Sequence, residues 1–206
     1  MTTKPQTIAI APSMSAYFQE VIEDAMRVRH IDATHAASTY LVSLLCDFAH
    51  PDEEAESPLK KPLTFLLHDA LEATGTERFR RLRTLGDGIL YGLGFFGSHI
   101  EMKGIDRGYV VDVGTSAYTQ AAAMLRKRPS REPLGADVLA ELSTKFERFV
   151  QVLADVAEGT LASAVSDGRS LVKLYERWLK TGSSRLAGEL ATRGILPRRN
   201  PTSGLN

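Results

Sequence analysis

His68 and Asp69, adjacent in the run Leu66-Leu67-His68-Asp69, form the sharpest chemistry-bearing pair in the chain. An imidazole and a carboxylate can ligate a divalent ion, and such an ion can activate water against a phosphate. His35, 33 residues earlier, offers a further imidazole. Two Asp-x-x-His pairs, Asp32/His35 and Asp47/His50, repeat the same ligand types at a spacing that shares one helical face. The two pairs lie 15 residues apart on what reads as one helix. That is about 22 Å along its axis, too far to share an ion.

The Leu66-Leu67-His68-Asp69 run resembles the signature of HD-domain metal-dependent phosphohydrolases, which are all-helical enzymes. The resemblance covers four contiguous residues. It implies His68 and Asp69 as metal ligands, His35 as the upstream histidine, and a distal aspartate drawn from Asp106, Asp112 or Asp137. The other reading of the same residues is the polar edge of an amphipathic helix.

Gly92-Leu93-Gly94-Phe95-Phe96-Gly97 matches G-x-G-x-x-G, and Asp112 lies 20 residues beyond its first glycine, the spacing of a dinucleotide-binding fingerprint. No strand precedes it, and Gly104 and Gly108 leave little room for the helix that should follow. The glycines therefore read as places where helices cross closely, with Phe95 and Phe96 filling the contact. Arginines cluster at 78, 80, 81 and 83, and again at Arg126-Lys127-Arg128 with Arg131. No zinc finger, RNA-recognition motif or aromatic-interleaved basic strand accompanies them, so solvated helix faces account for them and nucleic acid is not the expected partner. There is no nucleophile elbow, Walker loop, H-E-x-x-H or EF-hand loop. The single cysteine, Cys46, lies among core-facing neighbours, which predicts inert packing and excludes an internal disulfide.

One stretch resists reduction to helix packing. Asp106, Arg107, Tyr109 and Asp112, then Ser116 and Tyr118, place polar and aromatic groups in a glycine-hinged segment, with Asp87, Tyr91 and His99 close in sequence. A pocket or partner surface is expected there, because irregular segments on a rigid scaffold commonly carry function. Trp178 is the candidate aromatic anchor of a partner interface near the C-terminus.

The elements that must position these groups are helices. Ser13 and Thr34 are N-caps for the first two, with apolar stripes Tyr17–Val28 and Ala37–Phe48 at 3–4 spacing. Pro51 stops the second. Ser57-Pro58 opens a third carrying Leu63, Leu66, Leu67 and Ala70, and Gly75 ends it. Thr76 begins a fourth through Phe79, Leu82, Leu85 and Ile89. Residues 92–116 are expected to be the least regular part, and Tyr109-Val110-Val111-Asp112-Val113 is the only run with strand propensity. Ser116–Lys127 returns to helix. Leu139, Leu142, Phe146, Phe149, Leu153 and Val156 recur at 3-4-3-4-3, the rhythm of a helix packed lengthwise on a neighbour. Two more helices carry Leu171–Leu179 and Leu186–Leu190, and Gly194-Ile195 with Pro197 is a helix-stop signature.

The chain has 206 residues, 25 basic and 25 acidic, with 43% hydrophobic residues, which fits one globular domain and excludes a generic polyanion binder. No secretory h-region and no apolar run of membrane-spanning length is present, so a cytoplasmic protein is expected. The sequence thus predicts an all-α, single-domain bundle of about seven or eight helices over 13–196, with flexible tails at 1–12 and 197–206. The expected function is non-catalytic and cofactor-free, a regulatory or adaptor protein acting through a protein partner or self-association. The alternatives are the HD-type phosphohydrolase and a helical module for an apolar small molecule.

Overall fold

The computed structural model describes residues 13–49, 62–102, 104–126, 134–163, 168–182 and 184–196. Over these the chain is all helical: α1 (Met14–Val28), α2 (His35–Ala49), α3 (Leu63–Glu72), α4 (Gly75–Met102), α5 (Arg107–Arg126), α6 (Leu134–Thr144), α7 (Phe146–Ser163), α8 (Gly168–Thr181) and α9 (Ser184–Thr192). Among the described residues no helix is long and apolar enough to cross a membrane. The expected tails at 1–12 and 197–206, the Pro51 stop and the Ser57-Pro58 start lie outside the described residues.

Local signals place several ends. Ser13 Oγ accepts from Ala16 N at 3.1 Å and Thr34 Oγ1 from Ala37 N at 3.2 Å, each satisfying an otherwise orphaned amide of the first turn. At the far end Gly194 takes a left-handed φ of 79°, and Ile195 N donates to Leu190 O at 2.9 Å, closing α9 as the Gly-Ile signature predicts.

Residues 92–116 correct the expectation of an irregular segment. Residues 92–102 belong to α4 and 107–116 to α5, and the described irregularity reduces to a break at Phe96 (φ −127°, ψ 18°) and a turn at 104–106. The run Tyr109–Val113 is helical, not extended. Valine's helix penalty is only tenths of a kcal/mol. Against that, Val110, Val113 and Ala117 share one face and are all buried, so tertiary burial decides.

α4 packs along both α5 and α7, α5 also carries α6, and α1 covers α2 and α7. Small residues set these approaches. A Cβ on Gly94 would stand 2.5 Å from Leu153 Cβ of α7, and one on Gly114 of α5 would collide with the Phe146 ring. Of the G-x-G-x-x-G run, Gly94 marks such a crossing, whereas Gly97 has nothing within 4 Å of its Cβ position and Phe96 is exposed. All six residues of the 139–156 repeat are buried, but the rod they describe is divided at Lys145, so that α6 lies on α5 and α2 while α7 lies on α4 and α1. A second, smaller core of Leu174, Trp178, Leu186 and Leu190 joins α8 to α9, and α9 contacts α7.

Candidate functional site

Asp87 and Arg83 stand four residues apart on α4, hence on one face of it. Tyr40 of α2 and Tyr118 of α5 converge on them. Asp87 Oδ1 accepts from Tyr40 Oη at 2.6 Å and from Tyr118 Oη at 2.7 Å. Arg83 Nε donates to Tyr40 Oη at 2.9 Å, lies 3.5 Å from Asp87 Oδ2, and its guanidinium sits 5.2 Å from the centroid of the Tyr40 ring. The carboxylate makes acceptor contacts only, the pattern of its ionised form.

Each group's acidity follows from this packing. Burial pushes the Asp87 carboxyl up, against the opposing pull of both tyrosine hydroxyls and Arg83. Burial and the neighbouring Asp87 charge push both phenols above their ordinary value, so each remains a donor across the physiological range. Burial disfavours the Arg83 cation, but Tyr40 and Asp87 outweigh it and the net shift is upward. Tyr118 is fully buried against Phe146. Its seat depends on Gly86, where a Cβ would stand 2.7 Å from Tyr118 Cε1.

Beside this network a groove of about 390 Å³ opens between α2, α4, α5 and α6. Phe79, Leu125, Val138 and Leu139 make its apolar wall, while Thr39, Tyr40, Ser43 and Arg83 supply its polar groups. This mixture of a mainly apolar concavity and a few placed polar groups is the usual make-up of a small-molecule site.

Of the residues expected to act together, Asp87 and Tyr118 are brought into contact and the others are dispersed. Tyr91 stacks between Phe48 (4.2 Å between ring centroids) and Phe95 (4.7 Å). His99 is exposed near the end of α4. Asp106 caps α5 by accepting from Tyr109 N at 2.6 Å, and the Tyr109 hydroxyl pairs with Thr64 Oγ1 at 2.8 Å. Arg107 sits 3.8 Å from Glu101 and 3.6 Å from Glu147. Asp112 is exposed, and Ser116 Oγ accepts from Gln120 Nε2 at 3.1 Å. Trp178 is buried in the α8–α9 core, so it completes packing and is not an exposed anchor.

The ligand set implied by the phosphohydrolase resemblance is not assembled. His35 is exposed at the start of α2, and His68 and Asp69 are exposed on α3. Among the described residues no three His, Cys, Asp or Glu side chains stand close enough together to hold a metal ion. The arginines around Arg83 have local uses: Arg80 and Arg81 bond Glu77, and Arg78 Nη2 donates to Gln120.

Sequence reasoning missed Tyr40 and Arg83 as site residues. The Arg83/Asp87 spacing was a usable local signal, whereas nothing local ties Tyr40 to residues more than 40 positions away. No protein-family model matches the chain, and no curated protein and no solved structure was found that matches it.

Proposed function

We propose that this chain is a non-catalytic cytoplasmic binding protein that takes a small, largely apolar molecule in the groove between α2, α4, α5 and α6. The observation that carries this reading is the lining: four large apolar side chains facing a few fixed polar groups around about 390 Å³. Functional small-molecule pockets span roughly 300–1,000 Å³, so the groove suits a ligand of modest size. The polar side is preset, because Arg83 and Tyr40 are already braced by Asp87, which limits the ordering cost of binding. The test is fluorescence of the neutral dye Nile red with the full chain and with Val138→Trp, which fills the groove. Saturable binding by the natural chain and none by the variant is expected. Equal binding by both overturns the assignment of the groove.

A second reading, self-association or a protein partner, is favoured by α8. Val172 and Leu179, seven residues apart and so on one face, are 57% and 43% exposed. Light scattering of the natural chain and of a Val172→Glu, Leu179→Glu double variant tests it. A natural chain that is monomeric at every concentration removes the self-association form.

A further inference from the structure

We propose that the ligand of this groove carries a single carboxylate, received by the terminal nitrogens of Arg83, with an alkyl or aryl tail on Phe79 and the α6 wall. The inference rests on the groove being a binding site and names the chemistry of what it takes. Arg83 is anchored by one edge only: its Nε donates to Tyr40, and its guanidinium lies over the Tyr40 ring. Neither terminal nitrogen makes a hydrogen bond among the described residues, although the side chain lines the groove and is 46% exposed. A planar fork held from behind with its two outer amines unused is the geometry that accepts a carboxylate bidentately.

The charge balance favours a monoanion. Asp87 Oδ2 lies 3.5 Å from Arg83 Nε, so part of the cation's field is already answered. A dianionic phosphate would meet the Asp87 charge from across the guanidinium, and a cationic head would meet Arg83 itself. The tail's place follows from helical geometry. Phe79 is four residues before Arg83 on the same face of α4, about 5–6 Å away between Cβ atoms. Val138 and Leu139 of α6 and Leu125 of α5 extend the apolar wall. Ser43 of α2 also lines the groove and brings a hydroxyl donor to its polar side, whereas the Thr39 hydroxyl one turn earlier is already spent on His35 O at 2.9 Å.

The experiment is calorimetric titration of the full chain at pH 7.5 with octanoate, 1-octanol and octylamine, each below its aggregation threshold. Octanoate is expected to bind about tenfold or more tightly than 1-octanol, with octylamine weakest. Arg83→Gln should abolish the preference for the acid, so that octanoate and 1-octanol bind the variant about equally. Arg83→Lys keeps a cation beside Asp87 and serves if the glutamine variant does not fold. It should lose most of the preference, because an ammonium lacks the fork. If octanoate and 1-octanol bind equally, the carboxylate inference falls and the groove reading stands. If none of the three binds, the groove reading falls and takes the inference with it. An acid preference that survives both substitutions shows that Arg83 is not the receptor, which also overturns the proposal.

Discussion

Asp87 is held by two phenolic hydrogen bonds to a single oxygen, one of them from a fully buried tyrosine, and this defines how each residue at the site contributes. Removing a partner from a buried polar group costs its unrecovered desolvation, typically ~1–3 kcal/mol. Tyr118→Phe leaves the largely buried Asp87, whose side chain is 19% exposed, with one fewer donor. It is expected to lower stability by about that amount, read as a shifted midpoint in urea with an unchanged slope. Tyr40→Phe removes a hydroxyl that also accepts from Arg83, so it disturbs the groove's cation as well as the carboxylate. An unshifted midpoint for Tyr118→Phe contradicts the view that these bonds hold the network. Because burial raises the Asp87 carboxyl, the folded chain takes up its proton before the unfolded one does. Its ionisation therefore opposes folding as pH rises through the folded value.

The joint between α6 and α7 shows the opposite sign. Lys145 Nζ donates to Asp32 O at 2.6 Å and to Glu141 Oε1 at 2.9 Å, while Glu141 accepts from Thr34 N at 3.1 Å and from Thr34 Oγ1 at 2.5 Å. One carboxylate thus ties the entrance of α2 to the point where the 139–156 rod divides. Burial alone would raise the Glu141 carboxyl, but the Thr34 bonds and Lys145 outweigh it and hold it below its ordinary 4.5. Its stabilising contribution is complete above that ordinary value and is lost as pH falls through the lower folded one. Stability measured from pH 6 down to pH 3 should therefore decline more steeply in the natural chain than in Glu141→Gln, whose curve starts lower and runs flatter. Parallel curves would mean that the tie contributes nothing.

At the scale of the whole molecule, the described buried apolar side chains fall into two clusters. Among the described residues, the buried apolar side chains of α1–α7 form one cluster, whereas α8 and α9 meet around Leu174, Trp178, Leu186 and Leu190. Small units with few buried contacts open at lower free energy than the global transition. Leu190→Ala, which removes a fully buried side chain from the smaller core, is expected to speed amide exchange throughout α8 and α9. Protection in α4 and α5 should be unchanged. Equal loss of protection in α4 would make the chain a single cooperative unit.

The sequence by itself determined whatever depends on neighbours within about one helical turn. The stripes of α2 and α7, the Ser13 and Thr34 caps and the Gly194-Ile195 stop are set by spacings of three to five residues, which the chain displays directly. Only the tertiary structure decided the rest. Tyr109–Val113 became helix because its valines had a core to face, and the long 139–156 repeat was shared between two sets of neighbours at Lys145. Among the described residues, His35, His68 and Asp69 do not form a group that could hold a metal ion, although their types suited one. Asp87 meets Tyr118 across 31 residues and Tyr40 across 47. Contacts at such separations are chosen by how helices pack, and helix packing is fixed by side-chain shape over whole faces, which no local pattern encodes.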